Sequence, residues 1–306
     1  SDPMSGTGEI PATVIGGYLG AGKTTLVNHL LRHRGERRLA VLVNEFGALP
    51  IDADLIERRD QDLIAIAGGC VCCSYGSDLI AALERLRDLS LPPDHVLIEA
   101  SGVALPAGIA AALGLVSRYV HAATIAVADA ETVRERAADR YMADTIARQL
   151  AEADLVVMNK TDLVASQGLA ATEAYLTGPA PAAAIGWALN SAIPGDVAFG
   201  PTIRPPAQAT APSHGAEGYE TFAVELDGEV APERLGEALC ALAPGLLRAK
   251  GFAVRRDGKM VAVQTVGRRW SVAPASVEGV GRLVAIALAG TVGRRDLIAA
   301  IRSAQD

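Results

Sequence analysis

Short apolar runs alternate with amphipathic stretches from Ala12 to about Val197. "ATVIGG", "RLAVLVNEFG", "DLIAIAGG", "HVLIEASG", "AATIAVADA" and "DLVVMNK" are nearly continuous in hydrophobicity, the pattern of strands buried on both faces. Between them, "KTTLVNHLLRHRG", "SDLIAALERLRDL" and "ADTIARQLAEA" repeat apolar residues at three- and four-residue spacing, which predicts helices. Strands alternating with helices predict a parallel sheet covered on both faces, a doubly wound α/β fold. Over 199–217 the chain is rich in Pro, Ala and Gly and loses its period, as a linker does. Beyond it, "YETFAVELDG" alternates like a strand and "PERLGEALCALA" reads as a helix. A hairpin is expected to turn at Arg256–Lys259, because Asp-Gly favours positive φ. "GRLVAIALAG" and "RRDLIAAIRSAQ" add a strand and a closing helix. The expected organisation is an α/β domain over 10–198, a linker over 199–217, and a smaller α+β domain with an antiparallel sheet over 218–306.

Composition narrows the classes without choosing among them. A chain of 306 residues, 50% hydrophobic and 21% charged, has room for two ordinary globular cores. Its net charge of -7 argues against a general nucleic-acid binder, though a phosphate site can still be built locally from backbone amides and one or two cations. No apolar run reaches the roughly 18 residues a membrane span needs. The first residues lack a basic segment followed by an apolar one, so no secretion signal is expected. Four cysteines in so long a chain do not make a disulfide framework, and a cytoplasmic protein with reduced thiols is the expectation.

Two motifs change this picture. "GYLGAGKT" at 17–24 fits G-x-x-x-x-G-K-[ST], with a strand before it and a helix after it, which is the context of a phosphate-binding P-loop. The plain alternative is a Gly-rich turn before an ordinary helix; spacing and flanks both favour the P-loop. Gly17, Gly20 and Gly22 let the backbone aim amides at phosphate, with Ala21 and Thr25 completing the nucleotide-contacting set. Lys23 is the cation for the β- and γ-phosphates, and Thr24 offers its hydroxyl to Mg2+. "VVMNKTD" then ends a strand with N-K-x-D spacing. Asp162 can accept from the two donors that guanine has and adenine lacks. Lys160 can lay its stem along the base, and Asn159 can fix the loop or reach the base edge. GTP is therefore the expected nucleotide. Glu99 and Gly102 in "EASG" occupy the positions of a catalytic D-x-x-G, with the acid serving Mg2+ and the glycine amide the γ-phosphate; the alternative is a strand end with Ser101 as a helix N-cap. In "LNSAIP", the backbone near Ser191 and Ala192 is a candidate for the guanine oxygen.

"IAGGCVCCSYG" crowds Cys70, Cys72 and Cys73 after a predicted strand, on the side of the sheet where ligands bind. Closely spaced thiolates favour borderline or soft divalent ions, zinc first. The alternatives are small buried hydrophobes, a strained disulfide, or a catalytic thiol, which would lack a neighbouring histidine. Three sulfurs leave an open position, and Glu45 of "VNEFG" can add an oxygen or orient the attacking water. Cys240 is expected in the core.

In order and separation, "GGYLGAGKTTLVNHLL", "VNEFGALPID", "GGCVCCS", "EASG" and "NKTDLV" resemble the CobW-like metallochaperone GTPases. "GLLRAKGFAV" and "VGRRWSV" are similar to the carboxyl-terminal domain of that family, so the likeness covers nearly the whole chain. The resemblance implies GTP hydrolysis to GDP coupled to delivery of Zn2+ or Co2+ to a client protein. Relatives are linked to cobalamin synthesis, nitrile hydratase activation and zinc homeostasis. By position, Cys70, Cys72 and Cys73 would be the transferable-metal ligands, Glu45 part of the first switch, and Lys23, Thr24 and Glu99 the triphosphate and Mg2+ residues. A GTP-gated metal sensor or buffer without a client is the alternative, and a homodimer that supplies Arg118, Arg134 or Arg136 to the phosphates is compatible with both. Two features depart from the family: the linker holds only His214 in place of a His-rich stretch, and "ALP" at 48–50 replaces the usual acidic or small residue and glycine.

Overall fold

The computed structural model describes residues 8–43, 63–67, 77–201, 203, 218–277 and 279–305, with backbone alone for 63–67 and 77. Two compact units form, one of Gly8–Pro181 with Trp187–Phe199, the other of Gly200 onward with Ala182–Gly186.

In the first unit, strands β1 (Ile10–Gly16), β2 (Leu39–Val43), β3 (Leu63–Ala67), β4 (His95–Glu99), β5 (Tyr119–Asp129) and β6 (Leu155–Asn159) pair in the order β3-β2-β4-β1-β5-β6. A short strand, β7 (Ala184–Trp187), ends the row, its first three residues grouping with the second unit. The pairs from β3 through β6 are all parallel. Every residue of β2, β4 and β6 is buried, which is why these strands appear in the sequence as unbroken apolar runs. Helices α1 (Lys23–Arg32), α2 (Ser77–Arg87) and α3 (Pro106–Leu113) make three of the crossovers. A core of Val14, Leu42, Leu83, Val96, Ile98, Ile109 and Leu113 lies under the sheet. Parallel pairing carries the carboxyl ends of all six strands to one edge of the sheet. The chain moves outward from β1 to β2 on one side and from β4 to β5 on the other, and the crevice at such a switch point is where doubly wound folds bind ligands.

One alternative reading is ruled out and one strand boundary moves. Ser101 is not a helix N-cap: α3 begins at Pro106 after Leu105, and the Ser101 carbonyl instead accepts the Ala104 amide at 3.0 Å. β5 also begins earlier than its apolar run, because Tyr119–His121 pair with Ile10–Ala12 across a bulge.

The second unit is an antiparallel sheet of β8 (Tyr219–Leu226), β10 (Leu246–Arg255), β11 (Met260–Val266), β12 (Arg269–Pro274) and β13 (Gly281–Leu288), in the order β12-β11-β10-β13-β8. The two-residue strand β9 (Glu229–Val230) adds a parallel pair on β10. Its core joins Leu235 and Leu239 of one helix (Pro232–Cys240) to Leu297 and Ile301 of another (Arg294–Ser303). The β10–β11 turn has Gly258 at φ 77°, with Arg255 N–H donating to Lys259 O at 2.9 Å. Cys240 is only half-buried, and that burial pushes its thiol up to about 11.

Candidate functional site

The loop after β1 is shaped by glycines that no other residue replaces freely. Gly17, Gly20 and Gly22 have φ of 130°, 79° and 107°. A Cβ on Gly17 would stand 2.3 Å from Val127 O, and one on Gly22 would stand 2.4 Å from Asn159 Nδ2. The loop therefore approaches β5 and β6 as closely as backbone allows. Gly22 opens α1 without a side-chain cap, so the positive end of that helix faces the loop. Lys23 is buried, with Nζ 3.4 Å from Tyr18 O. Ala21 is buried and its N–H donates to Tyr18 O at 3.2 Å, whereas Thr25 is exposed on the first helical turn.

On the β4 side, the Thr24 hydroxyl donates to Glu99 Oε1 at 2.7 Å. Glu99 is itself buried at the carboxyl end of its strand. Gly102 lies against the P-loop: a Cβ there would sit 2.9 Å from Leu19 N and 3.1 Å from Leu19 Cα. Gln149, from helix α5 (Ala143–Ala151, after the short α4, Val133–Ala138), holds this turn by donating to Gly102 O at 3.1 Å and Ala104 O at 2.9 Å.

On the β6 side, Asn159 ties the P-loop to the 189–194 loop. Its Nδ2 donates to Ala21 O at 2.9 Å and its Oδ1 accepts the Ser191 amide at 2.7 Å. The Ser191 hydroxyl donates to Gly22 O at 3.0 Å, so the 189–194 loop and the P-loop share one network. Lys160 takes the left-handed conformation, φ 60°, and its ammonium reaches Asp129 Oδ2 at 2.7 Å. Asp162 is exposed in a 3-10 turn spanning Thr161–Leu163. The Ala192 amide donates to Leu189 O at 2.8 Å and the Ser191 amide to Asn159 Oδ1.

The fold thus gathers Gly17–Thr25, Glu99, Gly102 and Asn159–Asp162 at one end of the sheet. Arg118 is elsewhere: it precedes β5 at the opposite end, where its guanidinium donates to Gly8 O at 2.6 Å. Arg136 of α4 lines a cavity of about 30 Å³ together with Gly17, Tyr18, Leu19 and Asp129. Glu45, Cys70, Cys72 and Cys73 lie outside the described residues. Asp129 and Gln149 were not singled out by the sequence, and Ser191 only for its backbone. Their signal is position alone, an acid or amide where a strand or helix meets the loops.

The family described as "CobW/HypB/UreG, nucleotide-binding domain" matches residues 11–185, and "Cobalamin synthesis protein cobW C-terminal domain" matches residues 219–302. A protein of Sinorhizobium named "Zinc chaperone CobW" is 31% identical, over 86% of this chain and 86% of its own. One of the same name from Pseudomonas aeruginosa is 32% identical, over 88% of this chain and 83% of its own. "Zinc chaperone YjiA" of Escherichia coli is 34% identical over half of each chain, 50% and 50%. With P-loop, acidic strand end and N-K-x-D side by side on a doubly wound sheet, and these matches along its length, the chain belongs to the CobW/HypB/UreG family of P-loop nucleotide-binding proteins.

Proposed function

We propose that the chain is a GTP-hydrolysing metallochaperone. It binds GTP across the P-loop and N-K-x-D, carries Zn2+ or Co2+ on Cys70, Cys72 and Cys73, and yields the ion to a client protein as the nucleotide state changes. The observation that carries the nucleotide half is the Thr24–Glu99 contact at 2.7 Å, which couples the P-loop helix to the strand bearing E-x-x-G. The relatives named zinc chaperones support the cargo half.

Lys23 and the amides opening α1 meet the triphosphate charge, and Asp162 reads guanine from the exposed turn. Thr24 and Glu99 are two hard oxygen donors already within hydrogen-bond distance, a donor set that suits Mg2+. When bound there, Mg2+ would neutralise charge on the β- and γ-phosphates. Gly102, pressed against Leu19, is where a γ-phosphate would be sensed by a backbone amide. Glu45 either orients the attacking water or completes the cargo's ligands.

The geometry also supports proximity of cargo and nucleotide. β3 leaves the sheet at Ala67, on the same side as the P-loop leaves β1 and three strand spacings, about 14 Å, away from it. Three residues of chain span at most about 11 Å, which bounds the distance from Ala67 to Cys70. A thiolate trio near the terminal phosphate lets loop ordering by GTP set the grip on the ion, as in other nucleotide switches.

Turnover of GTP by the purified protein, with Zn2+ or Co2+ added in turn, tests the reading. Slow hydrolysis of GTP and not ATP, together with a thiolate-to-Co2+ charge-transfer band lost in a Cys72→Ser, Cys73→Ser variant, is expected. Equal turnover of ATP, or a band that survives the double substitution, overturns it.

A further inference from the structure

The N-K-x-D lysine has a partner that the motif does not contain. Asp129 ends β5 directly across from Asn159 of β6. Its side chain is only 11% exposed, against 34% for Lys160, so the carboxylate sits beneath the ammonium it pairs with at 2.7 Å. The carboxylate is itself held in place. Oδ1 accepts the Glu131 amide at 2.9 Å, which leaves Oδ2 facing Lys160. Ala130 N–H donates to Asn159 O at 2.9 Å and locks the two strand ends together. Lys160 meanwhile takes a positive φ, a conformation uncommon outside glycine and found where surrounding structure imposes it.

A lysine stem laid along a purine must give up rotamer freedom, and that loss opposes binding. A stem anchored at both ends, by its backbone and by a buried carboxylate on the next strand, has lost the freedom before the nucleotide arrives. We propose that Asp129 is a positioning residue for purine binding: it holds the Lys160 side chain in place as a preformed ledge for the base. The inference rests on the reading of this edge as a guanine-nucleotide site and adds to it a residue outside the recognition motif. It also divides the labour. Asp162 selects guanine through the base's donors, whereas the Asp129–Lys160 pair supports the ring itself and contributes equally to purines with and without the 2-amino group.

The test is equilibrium titration of fluorescently labelled GDP, with unlabelled GDP and IDP as competitors, on wild type, Asp129→Asn, Lys160→Met and the double variant. Asn keeps the acceptor for Glu131, and Met keeps an unbranched apolar stem without the charge. Asp129→Asn is expected to raise Kd for GDP about tenfold, or about 1.4 kcal/mol. IDP should weaken by the same factor, leaving the GDP:IDP ratio unchanged. In GTP turnover, KM should rise with kcat unchanged, because the base contact is made equally in ground and transition states. In the Lys160→Met background, Asp129→Asn should add nothing. An unchanged Kd, a ratio that collapses, a fall in kcat of the same size, or a full effect in the Met background would each overturn the inference. Should Asp129→Asn fail to fold, Lys160→Met alone must reproduce the tenfold loss. Wild type that does not bind GDP defeats the guanine-site reading and this inference with it; wild type that binds while Asp129→Asn is indistinguishable from it defeats the inference alone.

Discussion

Replacing Asn159 by Ala removes the side chain that ties the P-loop to the 189–194 loop. Two bonds are lost: Nδ2 to Ala21 O at 2.9 Å and Ser191 N to Oδ1 at 2.7 Å. Asn159 is 2% exposed and Ser191 0%, so water cannot take over from the missing amide without entering the core. Leaving a buried donor or acceptor without its partner costs about 1–3 kcal/mol, so the two together cost about 2–6 kcal/mol. Against a total stability of about 5–15 kcal/mol, that is a large fraction. Urea denaturation of the nucleotide-free protein, followed by circular dichroism, should show the unfolding free energy fall by this amount, as a lower midpoint with an unchanged slope. Nucleotide affinity should fall further than stability alone explains, because the bond from the Ser191 hydroxyl to Gly22 O must then hold the P-loop to this loop without Asn159. A variant within about 0.5 kcal/mol of wild type, the ordinary range for surface substitutions, would refute the reasoning.

Three further outcomes follow from the same geometry. Asp162→Asn exchanges an acceptor for a donor in the exposed turn, so GTP should bind about 10- to 100-fold more weakly while XTP, with a carbonyl at the 2-position, binds better; competition between the two nucleotides measures the exchange. Gly102→Ala puts a Cβ 2.9 Å from Leu19 N, a backbone atom that cannot rotate away, and GTP turnover should drop about 10- to 100-fold from the displaced P-loop. His29 donates from Nε2 to Ile193 O at 2.9 Å, and its pKa is lowered, first by desolvation and further by His33 and Arg32. The unfolded chain therefore binds the proton more readily than the folded one. The contribution is complete above the ordinary histidine value of 6.5 and is lost as pH falls from there through the lowered folded value. Melting temperature measured between pH 7.5 and pH 5, a range that brackets the reference histidine value, should decline less in His29→Gln than in wild type.

What the sequence made legible was whatever the backbone demands of particular residue types. Positive φ at Gly17, Gly20 and Gly22 follows from a loop that has no room for a Cβ, so the glycines announce it. Full burial on both faces announces β2, β4 and β6 as apolar runs. Asp129 was not legible, because an acid closing an apolar strand looks alike whether it ends a strand or holds a lysine. Only the β5–β6 register, which sets it opposite Asn159, tells the two apart. Ser101 failed in the other direction: its place after a strand resembles a cap, yet the chain turns once more before Pro106 starts the helix. Asn159 was left open between loop and base, and the structure shows two hydrogen bonds to the loops.

The central claim is that the terminal phosphate governs how tightly the thiolates hold their ion. Calorimetric titration of Zn2+ into the protein loaded with a non-hydrolysable GTP analogue and Mg2+, and again with GDP and Mg2+, tests it most directly. Zinc should bind at least about tenfold more tightly in the triphosphate state, with the analogue tightened by zinc to the same degree. Equal zinc affinity in the two nucleotide states would contradict it.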